Sequence, residues 1–338
     1  MKSFASAALL CAAAASAASE APRWPPPPDP PRLVYERAVS GTLAREAKGG
    51  WGRLLNVLLG VLPGDSARGG EGGLVLPTGI AARGGVIWVA DPGAKGVFRY
   101  HEATAKGDWL PKGGEKVLES PVAVAAAPDG RLFVADSALG KVFILDAAGR
   151  MAGELRGDPM GLGRPVGLAV GGGRLYVSDT LNHRVSFYSL DGVFLAAAGR
   201  RGGKPGDFNF PTYLWYDAAK GRLWVCDSGN FRLQALDREG RPVLAVGEAG
   251  NRPGYLARPR GVAVDPDGHP WVVDGAFDSV SAFDEQGRLL LFVGVSGYGP
   301  GEFNLPGGAA FDEAGRLLVA DTRNSRLQIF RYLKEAAR

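Results

Sequence analysis

A short apolar strand that ends in aspartate recurs along this chain at nearly constant spacing. The clearest copy starts at Gly315-Arg316, continues through Leu-Leu-Val-Ala and ends at Asp321. Subtracting residue numbers gives intervals of 43 to 48 residues between the six aspartates, which are Asp91, Asp136, Asp179, Asp227, Asp274 and Asp321. A fixed period of about 40–50 residues with strands throughout is typical of a β-propeller, because a single unit cannot bury its strands alone. The spacing therefore predicts an all-β, six-bladed β-propeller.

Three of the units share a further pattern, Asp-x-x-Asn-x-Arg, after the strand. Asparagine favours the left-handed backbone of a tight loop, so the pattern predicts a hairpin. The positions concerned are Asn182, Asn230, Asn324, Arg184, Arg232 and Arg326. Such a hairpin would bring each arginine within reach of the aspartate, and we interpret these residues as structural parts of the repeat. Units one, two and five carry other residues there.

The two ends of the chain are predicted to complete one blade together. After Asp321 only 17 residues remain, enough for one further strand but not for two. Residues 33–39 alternate as a strand does, so we expect them to supply the missing outer strand of the last blade. This closure would remove the open edges that make sheets prone to aggregation.

The first residues read as export and spacer segments. Met1-Lys2, an apolar run and Ala15-Ser16-Ala17 predict a signal peptide over residues 1–18 and export to the periplasm or cell envelope. A lipid anchor at Cys11 is the alternative, although Leu10 is bulky for the position before an acylated cysteine. Residues 19–32 contain seven prolines between positions 22 and 31, which predicts a polyproline II spacer. In the mature chain Cys226 then remains, at a small buried position of its repeat.

The remaining part, residues 33–333, is predicted to be one propeller domain followed by a tail over 334–338. Within it, leucines at helical spacing predict a short helix near residues 51–62. We interpret it as packed on one end of the propeller. Contact with a membrane, through this helix or a lipidated Cys11, is the alternative.

The repeats resemble NHL repeats, the Asn-His-Leu family of β-propellers. The resemblance rests on the Pro-Gly-x-Phe-x-x-Pro loops at 205–211 and 300–306, on strands ending in Val-Ala-Asp, and on the Asp-x-x-Asn-x-Arg hairpins. The proline segment and the strand after it are similar to those of exported bacterial NHL-repeat proteins. The resemblance implies the propeller fold, whereas function depends on the site that each member carries.

Some NHL relatives are enzymes, including a peptide-amidating lyase whose zinc is held by histidines. This chain has three histidines, His101, His183 and His269, at topologically different places, so we expect neither a metal site nor a cofactor. Related propeller hydrolases place carboxylates around the axis. The residues that open the innermost strands here include no acid: Thr78, Val122, Val166, Thr212, Arg260 and Gly307. A non-catalytic role is favoured, and a propeller lyase or hydrolase with a metal-assisted site in the central channel is the alternative.

Basic residues in two consecutive inter-blade loops predict a binding face. The residues are Arg200, Arg201 and Lys204 in one loop, Arg252, Arg258 and Arg260 in and after the next, with Tyr213 and Trp215 on the strand between them. We expect a basic and aromatic patch near the mouth of the channel, or else solvated loop charges. The net charge of +4 is too small to indicate nucleic acid. The predicted partner is a protein or an envelope polyanion.

Overall fold

The computed structural model describes residues 21–40, 73–112 and 118–334. Over these residues the chain forms 25 β-strands, arranged in six antiparallel sheets. The helical content of the described part is limited to single 3₁₀ turns at Ser228–Asn230 and Thr322–Asn324. The predicted signal peptide, the helix predicted near 51–62 and the tail beyond residue 334 lie outside the described residues.

The first five blades each have four strands, which follow the chain from the axis outward. Blade one contains β3 (Ile80–Arg83), β4 (Val86–Asp91), β5 (Gly96–His101) and β6 (Lys106–Leu110). Blade two contains β7 (Pro121–Ala126), β8 (Leu132–Asp136), β9 (Lys141–Leu145) and β10 (Met151–Glu154). Blade three contains β11 (Pro165–Gly171), β12 (Arg174–Asp179), β13 (Arg184–Ser189) and β14 (Phe194–Ala198). Blade four contains β15 (Pro211–Asp217), β16 (Arg222–Asp227), β17 (Arg232–Leu236) and β18 (Pro242–Val246). Blade five contains β19 (Pro259–Val264), β20 (Pro270–Asp274), β21 (Ser279–Phe283) and β22 (Leu289–Val293).

Blade six joins the two ends of the chain. Its strands are β23 (Ala309–Phe311), β24 (Arg316–Asp321), β25 (Arg326–Tyr332), β2 (Leu33–Ser40) and β1 (Arg23–Trp24). Strand β2 pairs with β25 along its length, from Leu33 opposite Tyr332 to Ser40 opposite Arg326. Each innermost strand contacts the innermost strands on both sides, including β23 with β3, so the ring is closed. The predicted six-bladed propeller and its closure by the N-terminal strand are both confirmed.

Part of the predicted proline spacer belongs to blade six instead. Arg23 and Trp24 pair with Val34 and Leu33, and the Tyr35 N–H donates to the Pro22 carbonyl at 2.9 Å. The Trp24 ring packs edge-on against Phe330, with ring centroids 5.8 Å apart. The proline composition predicts extended polyproline II, but burying this indole against the blade favours a docked fifth strand. Arg23 and Trp24 therefore belong to blade six and not to the predicted spacer.

The repeat aspartates tie each blade to the loop that enters it. All six are buried, and each carboxylate accepts backbone N–H bonds from the residues just before the innermost strand. Asp274, for example, accepts from Ala257 at 2.8 Å and from Arg258 at 3.0 Å. A buried carboxylate that accepts several N–H bonds is satisfied without needing a cation. This explains why units without the arginine still keep the aspartate.

The hairpin arginines differ in how they use this aspartate. Arg232 and Arg326 donate through Nε to their own repeat aspartates at 2.9 and 2.7 Å. Arg184 instead lies 2.8 Å from Asp158 and 3.4 Å from Asp179. The three asparagines also donate to their repeat aspartates, at 2.6 to 2.9 Å. These contacts hold the tight turns in place and leave little of either group free for a ligand.

Candidate anion-binding site at the channel mouth

The propeller has two chemically different ends. Because the strands alternate in direction, the inter-blade loops and the turns after the repeat aspartates share one end. We call this end, which includes loops 199–210 and 247–258, the loop face. The other end carries the remaining turns of each blade, such as 146–150, 237–241 and 284–288, and we call it the turn face.

Tyr213 divides the central channel between these two ends. Its side chain starts from β15 in blade four, and its hydroxyl donates to the Val122 carbonyl of blade two at 3.0 Å. The same ring is packed against blade six, since a Cβ placed on Gly308 would lie 3.2 Å from it. Tyr213 is 9% exposed and lines a cavity on each side. Burial raises the pKa of its phenol, so the hydroxyl stays protonated and can keep donating this bond.

The cavity on the loop-face side, which we call the mouth cavity, is basic and rich in hydroxyl groups. Its volume is about 300 Å³. Its charged lining residues are Arg164, Arg258 and Arg260, and no aspartate or glutamate of the described residues lines it. Its hydroxyl groups come from Thr78, Ser137, Thr180, Thr212 and Ser228. Apolar Val122 and Val166 and the ring of Phe210 complete the wall.

Arg260 is the most enclosed of the three arginines. It is the second residue of β19, and its aliphatic stem crosses Gly275, where an added Cβ would lie 2.7 Å from the Arg260 Cδ. Burial lowers the pKa of the Arg260 guanidinium from its ordinary value, and the like charge of Arg258 lowers that pKa further. Among the described residues, no carboxylate forms an ion pair with it. The mouth cavity thus holds a half-buried cation that lacks a counter-charge.

The nearby carboxylates do not neutralise it because they are engaged elsewhere. Asp274, at the end of β20 in the same blade, accepts backbone N–H bonds from Ala257, Arg258 and Ala276. The Asp274 carboxylate therefore bonds to backbone N–H groups, including those of the loop that enters blade five, and not to Arg260. The charged side chains that line the cavity are therefore arginines.

The hydroxyl groups of the cavity tie neighbouring blades together. Thr180 of blade three donates to the Pro211 carbonyl of blade four at 2.6 Å, and Ser228 donates to the Pro259 carbonyl of blade five. Thr212 Oγ1 lies 3.2 Å from the Arg260 carbonyl oxygen and 2.9 Å from Ser228 Oγ, so its proton goes to one of these two acceptors. Each proton is thus committed within the protein, while the hydroxyl oxygens keep acceptor capacity for a ligand.

The predicted basic and aromatic patch is brought together only in part. Arg201, Lys204 and Arg252 are exposed on the loop face, and exposed Arg200 donates to Asp207 at 3.0 Å. Arg258 and Arg260 line the mouth cavity, and Tyr213 forms its floor. Trp215 lies two residues further along β15 and lines the cavity on the turn face, so its assignment to the patch is wrong.

Sequence reasoning missed Arg164 and the hydroxyl groups. Arg164 precedes Pro165 as Arg258 precedes Pro259, so comparison of the repeat positions could have found it. Ser137, Thr180 and Ser228 each follow a repeat aspartate. The crossing of the channel by Tyr213 carries no such signal, because it depends on the distance between blades.

The three histidines lie apart, as their positions predict. His183 Nδ1 accepts the Phe210 N–H at 3.2 Å on the loop face, and His269 Nδ1 lies 3.3 Å from Asp265 on the turn face. His101 ends β5 of blade one. In the described part of the chain, no group of three or more His, Cys, Asp or Glu side chains is placed to hold a metal ion.

The cavity on the turn face is smaller, and most of its lining side chains are apolar. Its volume is about 160 Å³, and much of its wall is alanine from blades one to three. Trp215, Tyr216 and Phe311 supply the aromatic part of the wall. Among the described residues its charged lining side chain is Arg83, compared with three arginines in the mouth cavity.

Comparison with known proteins agrees with this architecture. The NHL repeat family model matches residues 162–187 and 303–330, in blades three and six. No curated protein matches the sequence. None of the helices in the described residues combines the length and hydrophobicity needed to cross a bilayer.

Several solved structures share the fold at low sequence identity. An auxiliary nutrient binding protein from Bacteroides thetaiotaomicron VPI-5482 is 12% identical with a TM-score of 0.60, over 78% of this chain and 70% of that one. Virginiamycin B lyase from Staphylococcus aureus is 13% identical with a TM-score of 0.55, over 77% and 96%. A chain of the nidogen/laminin complex is 20% identical with a TM-score of 0.52, over 64% and 79%. These similarities concern the fold alone. The family model identifies the NHL repeats, and the six sheets of the structure form the propeller.

Proposed function

We propose that this chain, a six-bladed β-propeller with NHL repeats, is an exported, non-catalytic binding protein that engages an anionic polymer of the cell envelope through its loop face. The observation that carries the proposal is the mouth cavity, whose lining, over the described part of the chain, has three arginines and no carboxylate. Exposed Arg201, Lys204 and Arg252 extend the positive charge across the neighbouring loops. A cleft of one charge sign concentrates ligands of the opposite sign.

The shape of the site favours a polymer over the surface of an acidic protein. A flexible chain can lie along loops 199–210 and 247–258 and place its end in the mouth cavity. A flat protein surface meets the exposed loop charges, whereas Arg260 is half-buried below them and needs a ligand group that enters the cavity. The predicted signal peptide over residues 1–18 supports export, and the auxiliary nutrient binding protein with the same fold is consistent with a binding role.

A propeller lyase or hydrolase is the alternative, and the similar fold of virginiamycin B lyase is the observation in its favour. That function would place a metal-assisted site in the central channel. Stoichiometric zinc, calcium or magnesium in purified protein would support it, since binding through arginines requires no metal.

Charge removal on one face tests the proposed function. The variant Arg201→Gln/Lys204→Gln/Arg252→Gln should bind a polyuronate about tenfold or more weakly, because three cations near the polymer are lost. Binding should also weaken with added salt. Affinity is measured by calorimetry or biolayer interferometry with oligogalacturonate of fixed length.

The matched control removes the same charge from the turn face. Arg150, Arg241 and Arg288 lie there with side chains 70 to 77% exposed. The variant Arg150→Gln/Arg241→Gln/Arg288→Gln should bind like wild type. Equal weakening by both variants would show that net charge alone attracts the polymer, and an unchanged affinity in the loop-face variant would refute the proposed face.

A further inference from the structure

In the described part of the chain, the half-buried guanidinium of Arg260 has no carboxylate as an ion-pair partner. A guanidinium taken partly out of water is unfavourable unless an anion or hydrogen-bond acceptors replace its hydration. Arg258, whose like charge acts on Arg260, lines the same cavity, as does Arg164 from blade three. Guanidinium groups match the geometry of carboxylate and phosphate through paired N–H bonds. The cationic part of the cavity therefore suits one oxyanion.

The hydroxyl groups that line the mouth cavity favour a ligand that also carries hydrogen-bond donors. Thr180 and Ser228 donate their protons to blade carbonyls, and Thr212 has both the Arg260 carbonyl and Ser228 Oγ as acceptors, so the hydroxyl oxygens act towards the cavity as acceptors. A simple anion has no protons to offer these oxygens. A ligand with several hydroxyl groups can donate to them while its anionic group meets the arginines.

An aromatic ring lies at the rim of this cavity. Phe210 is 43% exposed although it is a large apolar side chain. His183 holds it in place, with ring centroids 4.7 Å apart and the Phe210 N–H donating to His183 Nδ1. An exposed, fixed ring offers an apolar face on which the C–H side of a sugar ring can pack.

The size of the cavity limits the ligand to about one such unit. A volume of about 300 Å³ lies at the lower end of the range of about 300–1,000 Å³ found for small-molecule sites. Tyr213 closes the floor by its bond to the Val122 carbonyl, so a ligand enters from the loop face and stops there.

Building on the proposed polymer binding, we infer that the mouth cavity is a subsite for one acidic sugar unit. Arg260 and Arg258 bind its carboxylate or phosphate, the hydroxyl oxygens of Thr180, Thr212 and Ser228 accept bonds from its hydroxyl groups, and Phe210 packs on its ring. The unit is either a free sugar acid or the end of the envelope polymer, since the two present the same chemistry.

Three small probes separate the parts of this recognition. Glucuronate carries the anion and the hydroxyl groups, glucose carries only hydroxyl groups, and acetate carries only the anion. Calorimetry on the full protein should give one site for glucuronate, with glucose and acetate each bound at least about tenfold more weakly, as expected when one charged hydrogen-bonded contact is lost. Similar affinities for glucuronate and acetate would overturn the inference.

Variants then assign the contacts. Arg260→Gln should remove the preference for glucuronate over glucose, while Arg288→Gln on the turn face should leave it unchanged. Phe210→Ala should weaken both sugars and not acetate. The thermal midpoint of ligand-free Arg260→Gln should equal or exceed that of wild type, because the substitution removes an unpaired half-buried charge. Full glucuronate affinity in a folded Arg260→Gln variant would contradict the assignment.

The same measurements distinguish this subsite from the proposed function. If oligogalacturonate binds through the loop-face cations and glucuronate does not bind, the subsite is refuted and the proposed function stands. If glucuronate affinity depends on Arg260 but polymer affinity is unchanged in the loop-face variant, the proposed function fails and the subsite stands. Tetragalacturonate that binds more tightly than glucuronate, and loses this gain in the loop-face variant, identifies a polymer end. Equal affinities identify a free sugar acid.

Discussion

At the scale of single residues, the molecule uses carboxylates for structure and arginines for the candidate site. Asp227 shows the structural use most clearly, since it is fully buried and accepts from four residues. These are the Asn209 N–H at 2.7 Å and the side chains of Asn230, Arg232 and Gln234 at 2.8 to 3.1 Å. Arg260 shows the opposite situation, a cation without such partners.

Removing the Asp227 carboxylate should be strongly destabilising. In Asp227→Ala, Arg232 and Gln234 lose a buried acceptor. Removing one partner of a buried ion pair typically lowers the unfolding free energy by about 3–5 kcal/mol. Urea unfolding of the purified variant measures the change.

The exposed ion pair between Asp191 and Arg131 provides the control. The Asp191 side chain is 82% exposed, so Asp191→Ala should change the unfolding free energy by less than about 1 kcal/mol. Equal costs for Asp191→Ala and Asp227→Ala would contradict the view that burial, and not charge pairing as such, makes the repeat aspartates essential.

At the scale of elements, the N-terminal strand is the piece that makes the ring complete. Leu33 of β2 is fully buried in the cluster that includes Phe330 and Trp271, and Trp24 of β1 packs on the same cluster. Arg37 of β2 also reaches blade one, where its guanidinium lies 2.6 Å from Glu102. Arg316 of blade six lies 2.5 Å from the same glutamate. The Glu102 carboxylate of blade one therefore binds two arginines of blade six, one from each end of the chain.

Truncating Leu33 tests how much this strand contributes. Leu33→Ala should lower the unfolding free energy by about 2–5 kcal/mol, the usual cost of a cavity left by a buried leucine. The neighbouring Val34 points to the other side of the strand and is only partly buried, so Val34→Ala should cost less than Leu33→Ala. Denaturant unfolding of both variants gives the comparison. A negligible cost at Leu33 would mean that the closing strand is dispensable.

The sequence predicts the repeated elements well, because each copy ends a strand with a buried aspartate that bonds to the loop before the blade. The regular spacing of Asp91 to Asp321 predicts the number of blades, and residues 33–39 are a candidate for the outer strand that the last unit lacks. The sequence does not predict the β1 strand because the prolines on both sides of it suggest a polyproline II spacer, whereas Trp24 packs against Phe330 of blade six. The mouth cavity is harder still, since Arg164, Arg260 and Tyr213 come from three blades and meet only in the closed ring.

At the scale of the whole molecule, the closed ring separates two chemically distinct ends. Tyr213 blocks the channel between a cavity lined by arginine and hydroxyl groups and one lined by alanine and aromatic rings. On the turn face, Arg150, Arg241 and Arg288 each pair with an aspartate four residues earlier, and Arg83 is the arginine that lines the cavity there. The central claim is therefore directional: an anionic ligand binds on the loop face and not on the turn face.

Hydrogen–deuterium exchange of the full protein, with and without saturating oligogalacturonate, tests this claim most directly. We expect slower amide exchange in loops 199–210 and 247–258, and unchanged exchange in the turns at 146–150, 237–241 and 284–288. Slowing confined to those turns, or no slowing at saturation, would contradict it.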